Sequence, residues 1–353
     1  MFTKTLAMTG HALNILTGKQ RWGPYTAIIK IYDRCNMCCA FCPTCKPYKE
    51  KQEGNNIITL EAFKKLVLEL KQLKTQIVEL SGTGEPFLHA NIGQMIEHVN
   101  KSGLSCDVIT NGTLLTVADM KKLTELNVRK LTISLNAGTE LTYNSLQKEK
   151  KDGVFNSIKD NLKFLACYKR AINKNKPSVW ISNVVCNKNC SELHDMIKLA
   201  QDVSADGIIF KRLLHCTPNF KEFELSELQK STVLDKLERC SGLAKSIGLS
   251  TNLNSFSLQT RSVLPSHCYA WAFLVRINPC GSVNPCCDTN ITGGNIKEKS
   301  FTEIWVSEAY KKFRKNYRNI NILRQAGFNC EACSLYSSLA QDCNPRKFGL
   351  NKR

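Results

Sequence analysis

The chain has 353 residues, of which 42% are hydrophobic and 22% charged. That composition can bury a sizeable core, so it excludes disorder as a description of the whole. Forty-nine Lys and Arg against 30 Asp and Glu leave a formal charge of +19. The excess admits anionic partners, but Lys dominates over Arg and Asn is abundant, which also follows from base composition alone. No apolar run approaches the roughly 20 residues of a membrane span. The first 18 residues lack the basic start and unbroken apolar stretch of a signal peptide, which predicts a cytoplasmic protein. Eighteen cysteines in a cytoplasmic chain of this size point to metal rather than to a disulfide framework.

Strand-like and helix-like segments alternate along most of the chain. Thr26 to Tyr32 is β-branched and apolar and predicts a buried strand. Thr59 to Leu73 predicts a helix, with Leu60, Phe63, Leu66, Val67 and Leu70 on one face. Strands follow at Gln76 to Leu80, Ser105 to Thr110, Lys130 to Leu135, Ser178 to Val185 and Gly207 to Lys211. Between and after them, helices are predicted at Ile92 to Lys101, Val117 to Leu126, Val154 to Arg170, Ser191 to Val203 and Leu225 to Ile247. Six β/α units with uninterrupted apolar strands predict an α/β fold, a partial (β/α)6 TIM-type barrel over residues 24–250. An N-terminal segment, 1–23, precedes it. Leu249 to Leu264 reads as a polar connection, and residues 265–353 as a small cysteine-rich extension.

Directly after the first strand, Cys35, Cys39 and Cys42 form C-x3-C-x2-C. Three thiolates on one loop suit one face of a cubane iron–sulfur cluster and leave one iron open, as a catalytic metal site requires. A zinc knuckle is the alternative, since Cys42 and Cys45 have zinc-like spacing; Cys38 and Cys45 are otherwise bystanders. With Phe41 before the third cysteine, the motif resembles that of the radical SAM superfamily. The resemblance implies that the open iron chelates S-adenosylmethionine (SAM), and that reductive cleavage yields a 5′-deoxyadenosyl radical that abstracts hydrogen from substrate. It implies an external reductant such as a flavodoxin or ferredoxin, and it places Phe41 near the adenine.

The second strand ends in Gly82-Thr83-Gly84-Glu85-Pro86, where glycines admit a close ligand. This resembles the family's GGEP motif, with Thr83 at one glycine position. By that resemblance, backbone carbonyls and the Glu85 carboxylate receive the methionine ammonium. Ser134 and Asn136, at the end of the fourth strand, are the candidates for the ribose or the methionine carboxylate, or else plain turn residues. All lie at C-terminal strand ends, where parallel barrels build active sites.

Near the C-terminus, Cys268, Gly281-x4-Cys286, Gly293-Gly294-Asn295 and Cys330-x2-Cys333 resemble the SPASM/twitch extension of radical SAM enzymes. The resemblance implies an auxiliary [4Fe-4S] cluster held by Cys268, Cys286, Cys330 and Cys333, with Gly281 in a hairpin turn. Cys343 alone follows, so one auxiliary cluster is expected; Cys280, Cys287 and Cys343 are possible substitutes as ligands. A four-cysteine zinc site is the alternative.

The expected function is that of a radical SAM oxidoreductase acting on a small polar molecule, sugar-like or nucleotide-linked. Peptide or protein modification is the runner-up, and a zinc-dependent nucleic-acid-binding protein the non-enzyme alternative. The substrate is expected to be anionic if the basic stretches at 148–151, 169–176 or 311–318 meet it, and no membrane or nucleic-acid partner is expected. Cys186 and Cys216 are candidate hydrogen donors, or buried spare thiols.

Overall fold

Ten strands form one sheet among the described residues, which in this computed structural model are 22–42, 56–148, 152–213, 220–258, 270–286, 289, 291–316 and 319–325. The strands are β1 (Thr26–Lys30), β2 (Ile77–Ser81), β3 (Ser105–Thr110), β4 (Lys130–Ser134), β5 (Ser178–Val185), β6 (Gly207–Arg212), β7 (Ser250–Thr251), β8 (Leu274–Ile277), β9 (Ser282–Asn284) and β10 (Gly294–Asn295). Their order across the sheet is β10-β9-β8-β1-β2-β3-β4-β5-β6-β7. From β8 through β7 every pairing is parallel; only β9 and β10 run antiparallel. The order ends at β10 and β7 without closing, so the sheet is a partial TIM-type barrel, a bowl open along one side.

The crossover helices are α1 (Leu60–Gln72), α2 (Ile92–Lys101), α3 (Val117–Glu125), α4 (Glu140–Ser145), α5 (Val154–Ala171), α6 (Leu193–Asp202), α7 (Phe220–Phe223) and α8 (Glu227–Ser246). Beyond the bowl come α9 (Ala270–Phe273), α10 (Phe301–Val306), α11 (Glu308–Asn316) and α12 (Ile320–Gln325). Local chemistry sets several starts. Thr116 with Asp119, Ser226 with Gln229 and Ser300 with Glu303 form reciprocal capping boxes before α3, α8 and α10.

Alternate strand residues share a face. Ala27, Ile29, Val78, Leu80, Val108, Leu131, Ile133 and Ile181 join Phe63, Val67, Leu70, Met95 and Val99 of the helices in one core. The opposite face is different. Ile28, Glu79, Asp107 and Lys130 are register partners across β1 to β4, so three charged residues stand in a row on the concave face.

One expectation changes here. Leu249 to Leu264 is not a bare connection: it contains β7 and a turn at Leu253–Ser255, with Leu253 buried in the core. The described strands of the cysteine-rich extension join the same sheet. β8 pairs with β1, and a hairpin through Gly281, at φ +90°, returns β9. The α10 segment is tied to the bowl as well. The Thr302 amide donates to Glu69 of α1 at 2.8 Å, and the Trp305 indole to the Trp22 carbonyl at 3.2 Å.

Candidate active site

The loop after β1 is stitched to the segment after α4. Ala40 N–H donates to the Leu146 carbonyl at 2.8 Å and Lys148 N–H to the Cys38 carbonyl at 3.0 Å, with Cys39 bridged to Gln147. Asn111, beyond β3, reaches across to Asn36 Oδ1 at 3.0 Å and to Cys35 Sγ at 3.7 Å. Cys35, Cys39 and Cys42 are all half-buried. Burial, then the proximity of Cys42 and of Cys35, pushes the Cys39 thiol up to about 12. A buried Cys39 thiol flanked by two further thiols becomes a thiolate only when a cation shares its charge. That donor set fits an iron–sulfur cluster. Among the described residues, no three His, Cys, Asp or Glu side chains converge as ligands of a single ion would. Cys38 is engaged in a disulfide, and Cys45 lies outside the described residues.

The Gly82–Pro86 turn packs directly on this loop. A Cβ on Gly84 would stand 2.0 Å from the Arg34 carbonyl oxygen, and one on Gly82 would stand 2.2 Å from the Gly84 oxygen. Both glycines are therefore required by backbone proximity. Thr83, between them, is half-buried. Glu85 is buried, and its carboxylate already accepts three hydrogen bonds: Thr110 Oγ1 at 2.6 Å, Asn111 N–H at 2.8 Å and Phe87 N–H at 3.0 Å. Burial still pushes its carboxyl up against those three bonds. Glu85 thus straps the β2 and β3 ends together and caps the turn opened by Pro86.

Asn136 has φ +63° and is buried; its Oδ1 accepts from Val184 N–H at 2.9 Å and its carbonyl from Asn189 Nδ2 at 2.8 Å. It ties β4 to β5. Ser134 is half-buried at the β4 end beside Ser182. Phe41 is buried edge-on to Phe223, with ring centroids 6.2 Å apart, against Leu146 and Cys186.

The concave face adds residues that the motifs did not flag. Glu79 is pushed up to about 7 by burial, then by Asp107, against the pull of Lys211, Lys130 and Arg129. Asp107 pairs with Arg129, and Lys130 Nζ lies 4.1 Å from the centroid of the Trp180 ring. Charged residues inside otherwise apolar strands were the available signal.

Of the predicted auxiliary ligands, Cys286 is buried; Cys268, Cys330 and Cys333 lie outside the described residues, as do Cys216, Cys287 and Cys343. Cys280 sits in the hairpin turn and Cys286 just past the far end of β9. Because β8 parallels β1 and β9 returns, Cys286 lies level with the start of β1, whereas Cys35 follows its end. The two cysteine sites are thus at opposite ends of the strands, separated by about 13 Å or more along them. Within the basic stretches, Lys169 is buried, donating to the Pro177 carbonyl at 2.9 Å, and Arg314 is buried against Trp305 and Tyr310, while Lys174, Lys311, Lys312 and Lys315 are exposed.

The family model of the Radical SAM superfamily matches residues 29–200, and that of an iron–sulfur cluster-binding domain, SPASM, matches residues 268–334. The chain belongs to the radical SAM superfamily. Its two modules imply a SAM-binding [4Fe-4S] cluster and auxiliary iron–sulfur clustering. The chain is similar to a tungsten-containing aldehyde ferredoxin oxidoreductase cofactor-modifying protein of Pyrococcus furiosus, 25% identical over 89% of this chain and 90% of that one. It is 22% identical to an AdoMet-dependent heme synthase of Methanosarcina barkeri, over 79% and 82% of the two chains. Among solved structures, Streptococcus suis SuiB bound to its precursor peptide SuiA matches with a TM-score of 0.65 at 16% identity, covering 94% of this chain and 76% of that one. That match supports the radical SAM fold. No helix among the described residues is long and apolar enough to cross a membrane.

Proposed function

We propose that this radical SAM enzyme oxidises a small polar molecule held in the bowl between its two cysteine sites. The observation that carries the proposal is the charged concave face, Glu79, Asp107 and Lys130 in one row with Lys211 in electrostatic reach, at a level between the Cys35 loop and Cys286. Cys35, Cys39 and Cys42 would hold the SAM-binding cluster and Cys286 would contribute to the auxiliary one; when bound, these groups supply hydrogen abstraction and an electron acceptor. The chain's own residues do the rest. Gly82 and Gly84 hold the cysteine loop at its distance from β2, and Glu85 locks that turn to β3. Lys130, fixed on the Trp180 face, orients an anionic or polar group on the substrate. Glu79 is suited to accept the proton that an oxidised carbinol loses, because its carboxyl titrates at about 7.

Peptide modification is the second reading. A cavity of about 550 Å³ opens beside the β6 end, lined by Val185, Arg212, Phe220, Phe223, Leu225 and Leu234. Its size and its mixed walls, with Arg212, Glu224, Glu227 and Lys230 among the apolar side chains, suit a peptide segment, and SuiB is described with a bound precursor peptide.

Anaerobic incubation of reduced protein with SAM and fractionated cell extract separates the two. 5′-Deoxyadenosine formation stimulated by the low-mass fraction, with a product two hydrogens lighter, supports oxidation of a small molecule. Stimulation by the peptide fraction alone transfers the assignment to the second reading.

A further inference from the structure

The Asn111 side-chain amide is held in one orientation. Its Oδ1 accepts from Thr113 N–H at 2.9 Å and from Thr113 Oγ1 at 2.7 Å. An amide turned the other way would set its NH2 group against a backbone donor, so Nδ2 faces away from Thr113, toward the loop after β1. There it donates to Asn36 Oδ1 at 3.0 Å and to Cys35 Sγ at 3.7 Å, which uses both of its hydrogens. Asn36 Nδ2 donates in turn to Thr113 Oγ1 at 2.8 Å. Asn36, Thr113 and Asn111 thus close a ring of hydrogen bonds between the β1 and β3 ends. The Asn111 backbone is pinned as well, because its N–H donates to Glu85 Oε2 at 2.8 Å. The remaining bond of this fixed amide goes to the sulfur of the first cysteine in the triplet. Cys35 Sγ also accepts from Met37 N–H at 3.4 Å, a backbone bond that a side-chain substitution at Asn111 leaves in place.

We propose that Asn111 is a positioning residue for the SAM-binding cluster, its Nδ2 donating to the Cys35 sulfur and raising the reduction potential of the cluster. The inference rests on the assignment of Cys35 as a cluster ligand. A ligating thiolate carries more negative charge when the cluster is reduced, so a donor aimed at its sulfur favours the reduced state. Asn36 and Thr113 serve the same end by aiming the amide. Asn111 acts through Cys35 and is assigned no contact with substrate.

The test uses the full chain, reconstituted with iron and sulfide, and reads the potential by electron paramagnetic resonance during a redox titration without SAM. The signal missing from Cys35→Ala marks the cluster in question. With Asn111→Ala, iron content is expected to be unchanged and the reduced-to-oxidised ratio at a fixed potential to fall by about five-fold, as for one lost hydrogen bond. Asn111→Asp keeps the shape and the bonds from Thr113 but turns a carboxylate oxygen toward the sulfur, and the ratio is expected to fall further. A wild-type ratio at full iron content, even with a lower melting temperature, would make Asn111 a loop anchor alone and overturn the proposal. If Asn111→Ala fails to fold, Asn111→Asp decides by the same criterion, since it changes no volume. Survival of the signal and of 5′-deoxyadenosine formation in Cys35→Ala would overturn the ligand assignment instead, and the two failures are thereby distinguishable.

Discussion

Gly84 lies against Arg34. With no side chain on Gly84, the Glu85 amide can donate to the Arg34 carbonyl at 2.7 Å, immediately before the first cysteine of the triplet. The turn after β2 thereby sets the position of the loop after β1.

Gly84→Ala tests that relationship. The new methyl meets backbone rather than a flexible side chain, so the loop must move. Overpacking of this kind costs about 1–3 kcal/mol. Expected outcomes are a lower melting temperature and weakened iron retention at the Cys35 loop, read by thermal unfolding and by iron analysis. Wild-type values in both would remove the turn from the site's architecture.

Replacing Cys35, Cys39 or Cys42 with Ala is expected to abolish reductive cleavage of SAM and to remove roughly half of the iron. The auxiliary cluster should remain, because Cys286 sits at the other end of the strands. Chromatographic detection of 5′-deoxyadenosine from all three variants would refute the triplet.

Cys280 and Cys286 should behave differently. Cys280 lies in the hairpin turn, half-buried, with its thiol 3.3 Å from Ser282 Oγ, while Cys286 is buried past the far end of β9. Cys280→Ala is expected to keep all of the iron, and Cys286→Ala to lose the auxiliary share. Iron loss from Cys280→Ala would make the turn cysteine a ligand.

Glu79 makes a pH prediction. Its carboxyl is raised from 4.5 to about 7 in the folded chain, so between those values the native state binds the extra proton. Stability should therefore fall as pH rises from about 4.5 to about 7 and level off above. The upper bound is about 3 kcal/mol, reduced because the carboxylate stands in an open bowl. Urea unfolding of wild type and Glu79→Gln across this range should show the extra fall only in wild type; parallel curves would count against it.

Cys186 is 0% exposed and packed with Phe41, Leu146 and Phe223, and burial raises its thiol. It is placed as a core thiol rather than a hydrogen donor. Turnover in deuterium oxide should leave no deuterium on the product carbon. Label that disappears in Cys186→Ala would reverse this.

The sequence determined what depends on neighbours along the chain. The six β/α units appear at the predicted positions within a residue or two, because apolar periodicity and capping residues such as Thr59, Thr116 and Ser226 act locally. Cys35, Cys39 and Cys42 were legible for the same reason: three ligands on one loop have a spacing. Only the tertiary structure decided what depends on register. Glu79, Asp107 and Lys130 lie far apart in sequence and become one row only when β2, β3 and β4 pair. The pairing of β8 with β1 places Cys286 at the opposite end from Cys35, and packing of α11 against Trp305 turns Arg314 from a surface charge into a buried one. Local sequence carries propensity, but a long-range pairing leaves no periodic trace in either partner, and burial of a charge is set by what the rest of the chain brings against it.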